Sequence, residues 1–575
     1  MKVVLCWHMH QPEYRDLSSG EYELPWTYLH ALKDYLDMVA HLEANPAACA
    51  VVNFAPVLLD QIEDYSQQLE HYFTRGAGLR DPVLGALVRV AHPAADTERL
   101  ALLKKMLRVN RRRVVERFAA YSRLATMIDW FEANPASAIY ISDQLITDAT
   151  VWYHLGWIAE TVRRTDARIQ GLQDKERNYT LQDRLELLRI IQQLIDSLLP
   201  RYRRLAAEGR IELALSPYAH PIVPLLLEFD SAREAMPAVA LPVSASYPGG
   251  EERAHWHLAQ GLRTFERHFG LRPLGCWPSE GSVSAATLQL LQQHGLRWAA
   301  SGETVLRNSI EASRASPGFE PPRDTVHRVY RHAGSSVDCF FRADELSDRI
   351  GFVYADWHAD DAVANLVHEL ERIAEDCAAS ADSTAVDNAV VSIILDGENA
   401  WEYYPENGYY FLDALYQELA AHSTLELTTF KRILEQRDLV RTKLPALVAG
   451  SWVYGTFSTW IGDADKNRGW DMLCAAKHAY DRAMAQGELT DRQRERATQQ
   501  LAACEGSDWF WWFGDYNPAA AVSDFERLFR CHLGNLYRTL GAPLPDELSR
   551  SVSRGGGNPE RGGVMLHGQA AESSR

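Results

Sequence analysis

Two acids stand where chemistry could be done. Asp396 follows at once on the apolar run Val391 to Leu395, and Glu280 follows Trp277, Pro278 and Ser279 just beyond the short stretch Arg272 to Cys276. A buried strand ending in a carboxylate is the usual position of a catalytic group in a sheet whose strands run parallel. One such acid could simply cap the next helix. Two, at the ends of different strands, supply the minimum for glycoside hydrolysis: one carboxyl protonates the leaving oxygen while the other attacks or steers water. Sixteen tryptophans, among them Trp7, Trp277, Trp357, Trp401 and Trp460 beside the candidate loops, suit a sugar, whose ring faces stack on indoles. A second chemistry competes. His8 and His10 form an HxH pair after the first apolar stretch, and with His220 and Asp396 they could ligate a metal in a metal-dependent hydrolase.

The elements that must position these residues alternate. Short apolar runs at Lys2 to Cys6, Ala50 to Phe54, Ile211 to Leu215, Arg272 to Cys276, Arg297 to Ala300, Val337 to Phe341 and Val391 to Leu395 read as about seven strands, each followed by sequence of helical period. That alternation predicts an α/β fold with a parallel sheet, which would form a barrel if closed. Val57 to Phe131 reads as a helical insertion, and Ile146 to Ile158 and Leu181 to Ala207 as further helices. After residue 435 strand signals fade, while Trp470 to Ala485 and Thr490 to Cys504 read as helices, so a helical carboxyl-terminal domain is expected over 436–550. The runs Ser451 to Asp463 and Glu505 to Tyr516 are too aromatic for plain exposed loops and should pack over the barrel mouth. From 551 to 575 the chain is rich in Gly, Ser and Arg and is expected to be disordered. No internal repeat is evident.

Composition removes several classes. A formal charge of −18 and a pI near 5.6 argue against nucleic acid as a partner, because a polyanion binder presents a basic face. The amino terminus lacks an apolar export segment and no run is long enough to span a membrane, which predicts a cytoplasmic protein with no membrane association. Eight cysteines without a CxxC pair fit reduced thiols. P-loop, GxGxxG, HExxH and GxSxG motifs are missing from the sequence, and no cofactor is called for.

The ordered motifs His10 to Pro12 (HQP), Ser216 to Pro221 (SPYAHP), Cys276 to Gly281 (CWPSEG), Leu395 to Tyr404 (LDGENAWEYY) and Thr456 to Asp463 (TFSTWIGD) resemble glycoside hydrolase family 57. That family contains α-amylases, amylopullulanases, 4-α-glucanotransferases and branching enzymes. The resemblance spans Lys2 to Tyr516, and the SDWFWWFG run is similar to the amylopullulanase-like branch. It implies an incomplete (β/α)7 barrel with a helical domain behind it, and a retaining mechanism on oligo- or polysaccharide α-glucans, with Glu280 as nucleophile and Asp396 as general acid/base. It implies a sugar-binding cleft lined by His10 and His220. Gln11, Asn53, Trp277, Trp357, Trp401, Trp460 and Asp463 are further expected substrate contacts. The nucleophile motif departs from the Leu-Pro that many members carry before the Glu. Transfer instead of hydrolysis, and a non-catalytic glucan-binding role, are the remaining alternatives.

Overall fold

The first strand, β1 (Lys2–Met9), is buried along nearly its whole length, which only a strand flanked on both edges and covered on both faces can be. The computed structural model, which describes residues 1–322, 326–379, 385–557 and 565, places β1 inside a single sheet. The other strands are β2 (Ala50–Phe54), β3 (Ile211–Leu215), β4 (Gly275–Cys276), β5 (Trp298–Ser301), β6 (Tyr330–His332), β7 (Asp338–Phe341), β8 (Val390–Asp396), β9 (Glu426–Thr428) and β10 (Thr442–Leu444). Their order is β10-β6-β7-β5-β4-β3-β2-β1-β8, with β9 also pairing with β1.

All seven expected strands are present and pair in parallel along the path β7-β5-β4-β3-β2-β1-β8. The curled sheet meets itself through one parallel bridge, Arg342 to Ser392, with the Ala343 N–H donating to the Ser392 carbonyl at 2.8 Å and Arg342 Nε to the Ile394 carbonyl at 2.8 Å. It is an incomplete seven-stranded barrel. β6, β9 and β10 are additions of three residues each, too short to show a period in the sequence. They correct the expected boundary at 435: β10 pairs with β6, so the sheet runs on to Leu444.

Helices fill the chain from Pro56 to Ala207 between β2 and β3, so the expected insertion at 57–131 is the first part of a longer helical region. Its last helix, Leu181–Ala207, starts on a reciprocal capping box between Thr180 and Asp183. The carboxyl-terminal region is helical, with helices Ala464–Gln486, Asp491–Cys504, Asp508–Trp512 and Ala519–Thr539. Trp470 stacks on Phe510 with centroids 4.4 Å apart, and Trp512 on Phe525 at 4.7 Å. Each such ring removes ~150–250 Å² from water, ~4–6 kcal/mol at ~25 cal/mol/Å², which is why so aromatic a run cannot remain a solvated loop.

Residues 551–557, expected to be disordered, lie against the fold. Val552 and Ser553 are buried, the Gly514 N–H donates to Ser553 Oγ at 3.0 Å, and Arg468 reaches the Ser551 and Val552 carbonyls. The rest of the expected tail, 558–564 and 566–575, lies outside the described residues. All eight cysteines are free, seven of them buried. Among the described residues no helix is long and apolar enough to cross a membrane.

Candidate active site

Parallel pairing does the first part of the assembly. In register, His8 of β1 lies beside Asn53 of β2 on one side and beside Asp396 of β8 on the other. Gly397 then turns the chain against β1, where a Cβ would meet Met9 Sδ at 2.1 Å, and its N–H donates to the His8 carbonyl at 2.7 Å. The side chains at this edge face a cavity of about 440 Å³ whose lining includes His8, His10, Gln11, Glu280, Arg342, Asp396, Glu398 and Trp452.

Glu280 is held by a strained turn. Its φ is +58°, a left-handed conformation that costs a non-glycine residue ~1–3 kcal/mol and persists only where its surroundings dictate it. Three contacts do so. The Trp452 N–H donates to the Glu280 carbonyl at 3.1 Å, Val283 and Gly450 exchange both backbone hydrogen bonds, and Gly281 leaves no room for a side chain between Trp277 and Trp452. The same contacts bring Trp452 Nε1 to 3.0 Å from Glu280 Oε2.

Both carboxyls are perturbed upward. Burial pushes Glu280 well above the usual range, the charges of Asp396 and Asp508 push it further, and the Trp452 N–H pulls it back. Burial raises Asp396 to about 6 despite the Asn399 amide, which donates to Oδ2 at 2.8 Å, and the positive fields of His10 and Arg342. Burial is the largest cause for both, and the charge of Asp396 adds to the rise of Glu280. A third, Glu398, is pushed well above its usual value by burial and by Asp396, and its Oε2 has no partner among the described residues.

An imidazole row forms the other wall. His8 Nδ1 lies 2.6 Å from Asn53 Oδ1 and so donates to it. His8 Nε2 then accepts from His220 Nε2 at 3.1 Å, and His220 Nδ1 accepts from the Ser507 hydroxyl at 3.0 Å. Burial, then His10, lowers His8 to about 3, and burial lowers His220 well below its ordinary value, so both are neutral. His10 stacks on His220 with centroids 3.8 Å apart and donates from Nε2 to Asp508 at 2.9 Å, leaving its buried Nδ1 unpartnered among the described residues.

The structure brings Glu280, Asp396, His10 and Gln11 to the cavity and His220 directly behind His10. Asn53 acts one layer back, through His8. The expected tryptophan platforms require correction. Trp277, Trp401 and Trp460 are fully buried and support the site from beneath: Trp277 packs edge-on to Trp452, Trp401 donates to the Gly397 carbonyl, and Trp460 lies 5.9 Å from Trp511. Trp357 is 44% exposed, packs on Tyr354 and does not reach the cavity. Asp463 accepts from the Asp465 N–H at the start of helix Ala464–Gln486. The rings that do line the cavity are Tyr14, Trp26, Trp157, Phe352, Trp452, Trp511, Trp512 and Phe525, the last three on the helices Asp508–Trp512 and Ala519–Thr539.

The metal alternative also changes partners. Both nitrogens of His8 are engaged by Asn53 and His220, and the group within reach of one ion is His10, His220 and Asp508. The His10 to Asp508 separation of 2.9 Å is a hydrogen-bond length and shorter than the ~3.3 Å between two ligands on a tetrahedral zinc with bonds of ~2.0 Å.

Solved structures share this architecture at low identity. The crystal structure of a branching enzyme from Thermococcus kodakaraensis matches with TM-score 0.58 and 15% identity over 94% of this chain and 90% of that one. A branching enzyme from Pyrococcus horikoshii matches at 0.58 and 16% over 94% and 89%, and the α-amylase AmyC from Thermotoga maritima at 0.54 and 14% over 95% of each chain. Such similarity establishes the fold. No curated protein matches the sequence directly. Residues 4–445 match the glycosyl hydrolase family 57 profile, and on that match across most of its length the chain belongs to glycosyl hydrolase family 57.

Proposed function

We propose that the chain is a retaining glycoside hydrolase of α-glucans, in which Glu280 attacks the anomeric carbon and Asp396 moves the proton. The observation that carries this reading is the meeting of two half-buried carboxyls, from the ends of β4 and β8, at one cavity walled by aromatic rings. Glu280 forms the glycosyl-enzyme while Asp396 protonates the departing oxygen. Asp396, now ionised, then takes the proton from the incoming water as it displaces the sugar from Glu280. The exchange needs the two carboxyl groups ~5–5.5 Å apart.

Burial raises both carboxyls, and the first step requires a proton on Asp396 and an ionised Glu280. Trp452 biases it there, since its N–H stabilises only the ionised form of Glu280. His10 through its unpartnered Nδ1, Gln11, and Glu398 through its unpartnered Oε2 are suited to sugar hydroxyls, which need both donors and acceptors. Trp26, Phe352 and Trp452, the partly exposed rings of the lining, offer faces for further glucose units. That aromatic wall also favours transfer, because a sugar hydroxyl held against it can replace water in the second step. The SDWFWWFG run supports an amylopullulanase-like reading within the family. Product analysis on maltooligosaccharides, starch and pullulan tests the reading. Shorter α-configured products report hydrolysis, longer or branched ones transfer, and no product from any of the three would sink it.

A further inference from the structure

One buried cluster lies outside the cavity and is not used by the mechanism. Glu505, at the end of helix Asp491–Cys504, is completely buried against the barrel helix Gly250–Phe269. Arg253 grips its carboxylate with Nε at 2.8 Å and Nη2 at 2.7 Å, His257 Nε2 donates at 2.7 Å, and the Tyr247 hydroxyl donates as well. These partners, Arg253 above all, hold Glu505 down at about 2 against its burial. A buried ion pair is a poor source of net stability, because desolvation cancels most of the attraction. What the cluster does achieve is register.

The positions of its neighbours show how. His257 Nδ1 accepts from the Ala219 N–H at 3.4 Å and the His257 carbonyl accepts from the Tyr218 N–H at 3.1 Å, so His257 holds the loop after β3. On the other side of the interface, the Ser507 N–H donates to the His220 carbonyl at 3.0 Å, and a Cβ on Gly506 would stand 3.1 Å from the Ala219 carbonyl. Glu505, Gly506, Ser507, His220, Ala219 and His257 thus form a closed ring of contacts. Asp508 is the next residue along, and it is the one that bonds His10 and whose charge bears on Glu280 and Asp396.

We propose that Glu505 is a positioning residue for the catalytic site: clamped by Arg253, His257 and Tyr247, it fixes the Ser507–Asp508 turn against His220 and His10. The carboxyl-terminal domain thereby sets the charge felt by the two catalytic carboxyls. This rests on the roles given above to Glu280 and Asp396. The groups facing Asp396 are Glu280, Glu398, Asn399, His10, Arg342 and Asp508; those facing Glu505 are Arg253, His257, Tyr247 and Cys504. Of these, only Asp508 lies on the chain segment that Glu505 anchors.

The test is the double variant Arg253→Met/Glu505→Leu, which removes both charges and leaves none buried alone. It should fold, with kcat/KM down ~10–100-fold, the effect of a displacement of about an ångström in a reacting site. Its pH profile should move to lower pH, because an Asp508 carboxylate no longer held in place raises Glu280 and Asp396 less. A folded double variant with the activity and pH profile of the wild type would overturn the proposal, since a merely structural pair would behave that way. Should that variant fail to fold, Gly506→Ala decides: it leaves the ion pair intact and sets a methyl 3.1 Å from the Ala219 carbonyl, which pushes on the Ser507–Asp508 turn, and a smaller loss with the same acid shift is expected, whereas an unchanged profile overturns the idea. The wild type is run in parallel with a glycosyl fluoride. If it forms no glycosyl-enzyme, the roles of Glu280 and Asp396 fail, and that result is separate from the fate of Glu505.

Discussion

Replacing Trp452 by Phe keeps a ring against Trp277 and beneath the Arg342 guanidinium but removes the N–H that lies 3.0 Å from Glu280 Oε2. Hydrogen bonds to a charged partner are worth ~1.5–3 kcal/mol. At ~1.36 kcal/mol per factor of ten, kcat/KM should fall between ~10-fold and ~150-fold. The loss has a signature. The N–H stabilises the ionised nucleophile alone, so its removal raises the Glu280 carboxyl further, and the limb of the pH profile that belongs to Glu280 moves to higher pH. The assay is kcat/KM for an aryl α-maltoside across the pH range, with unfolding followed on the same samples. A folded Trp452→Phe protein within threefold of the wild type, with an unmoved profile, would refute the claim that this N–H tunes the nucleophile.

Other expectations follow from the same structure. Ending the chain near Lys443 removes Trp452, Ser507 and Asp508 and should give inactive or insoluble protein, while ending it after Gly557 should leave turnover unchanged; expression and assay of both proteins checks this. Exhaustive chelation at neutral pH should leave activity largely intact, and recovery of lost activity by zinc or manganese would favour the metal reading of His10, His220 and Asp508. Glu212, buried inside the sheet and accepting from Trp298 Nε1 at 2.7 Å and the Lys431 N–H at 2.7 Å, is raised to about 7 by burial. The unfolded state releases that proton near ~4.3, so the contribution of Glu212 is present at low pH and is lost as pH rises through about 7. Glu212→Gln should flatten the fall of Tm between pH ~5 and ~8, and an unchanged slope would contradict it.

The sheet was legible because its strands are continuous apolar runs ending in polar residues, as in Val391 to Leu395 before Asp396. The same local rule exposed Glu280. What it could not expose is contact between distant segments: Trp452 is 172 residues from Glu280, and Asp508 is 498 residues from His10. Asp508 did leave a trace, as an acid placed before an aromatic run that has to be buried. The tryptophans fooled the eye for a physical reason. An indole next to a strand-end carboxylate, such as Trp277 or Trp401, is drawn beneath the turn by its own apolar area, and the rings left for sugar come from the helical regions. Edge strands of three residues, β6, β9 and β10, are too short for any periodic signal.

The central claim is the division of labour between Glu280 and Asp396, and azide reports on it most directly. Asp396→Ala, given an α-glycosyl fluoride, needs no proton donor to form the glycosyl-enzyme and stalls there. Azide should then release a glycosyl azide of retained α-configuration. In Glu280→Ala, turnover of ordinary substrate should fall ~10³-fold or more, and azide entering the vacated space should give the inverted β-azide. An inverted product from Asp396→Ala, or near wild-type turnover by Glu280→Ala, would contradict the assignment.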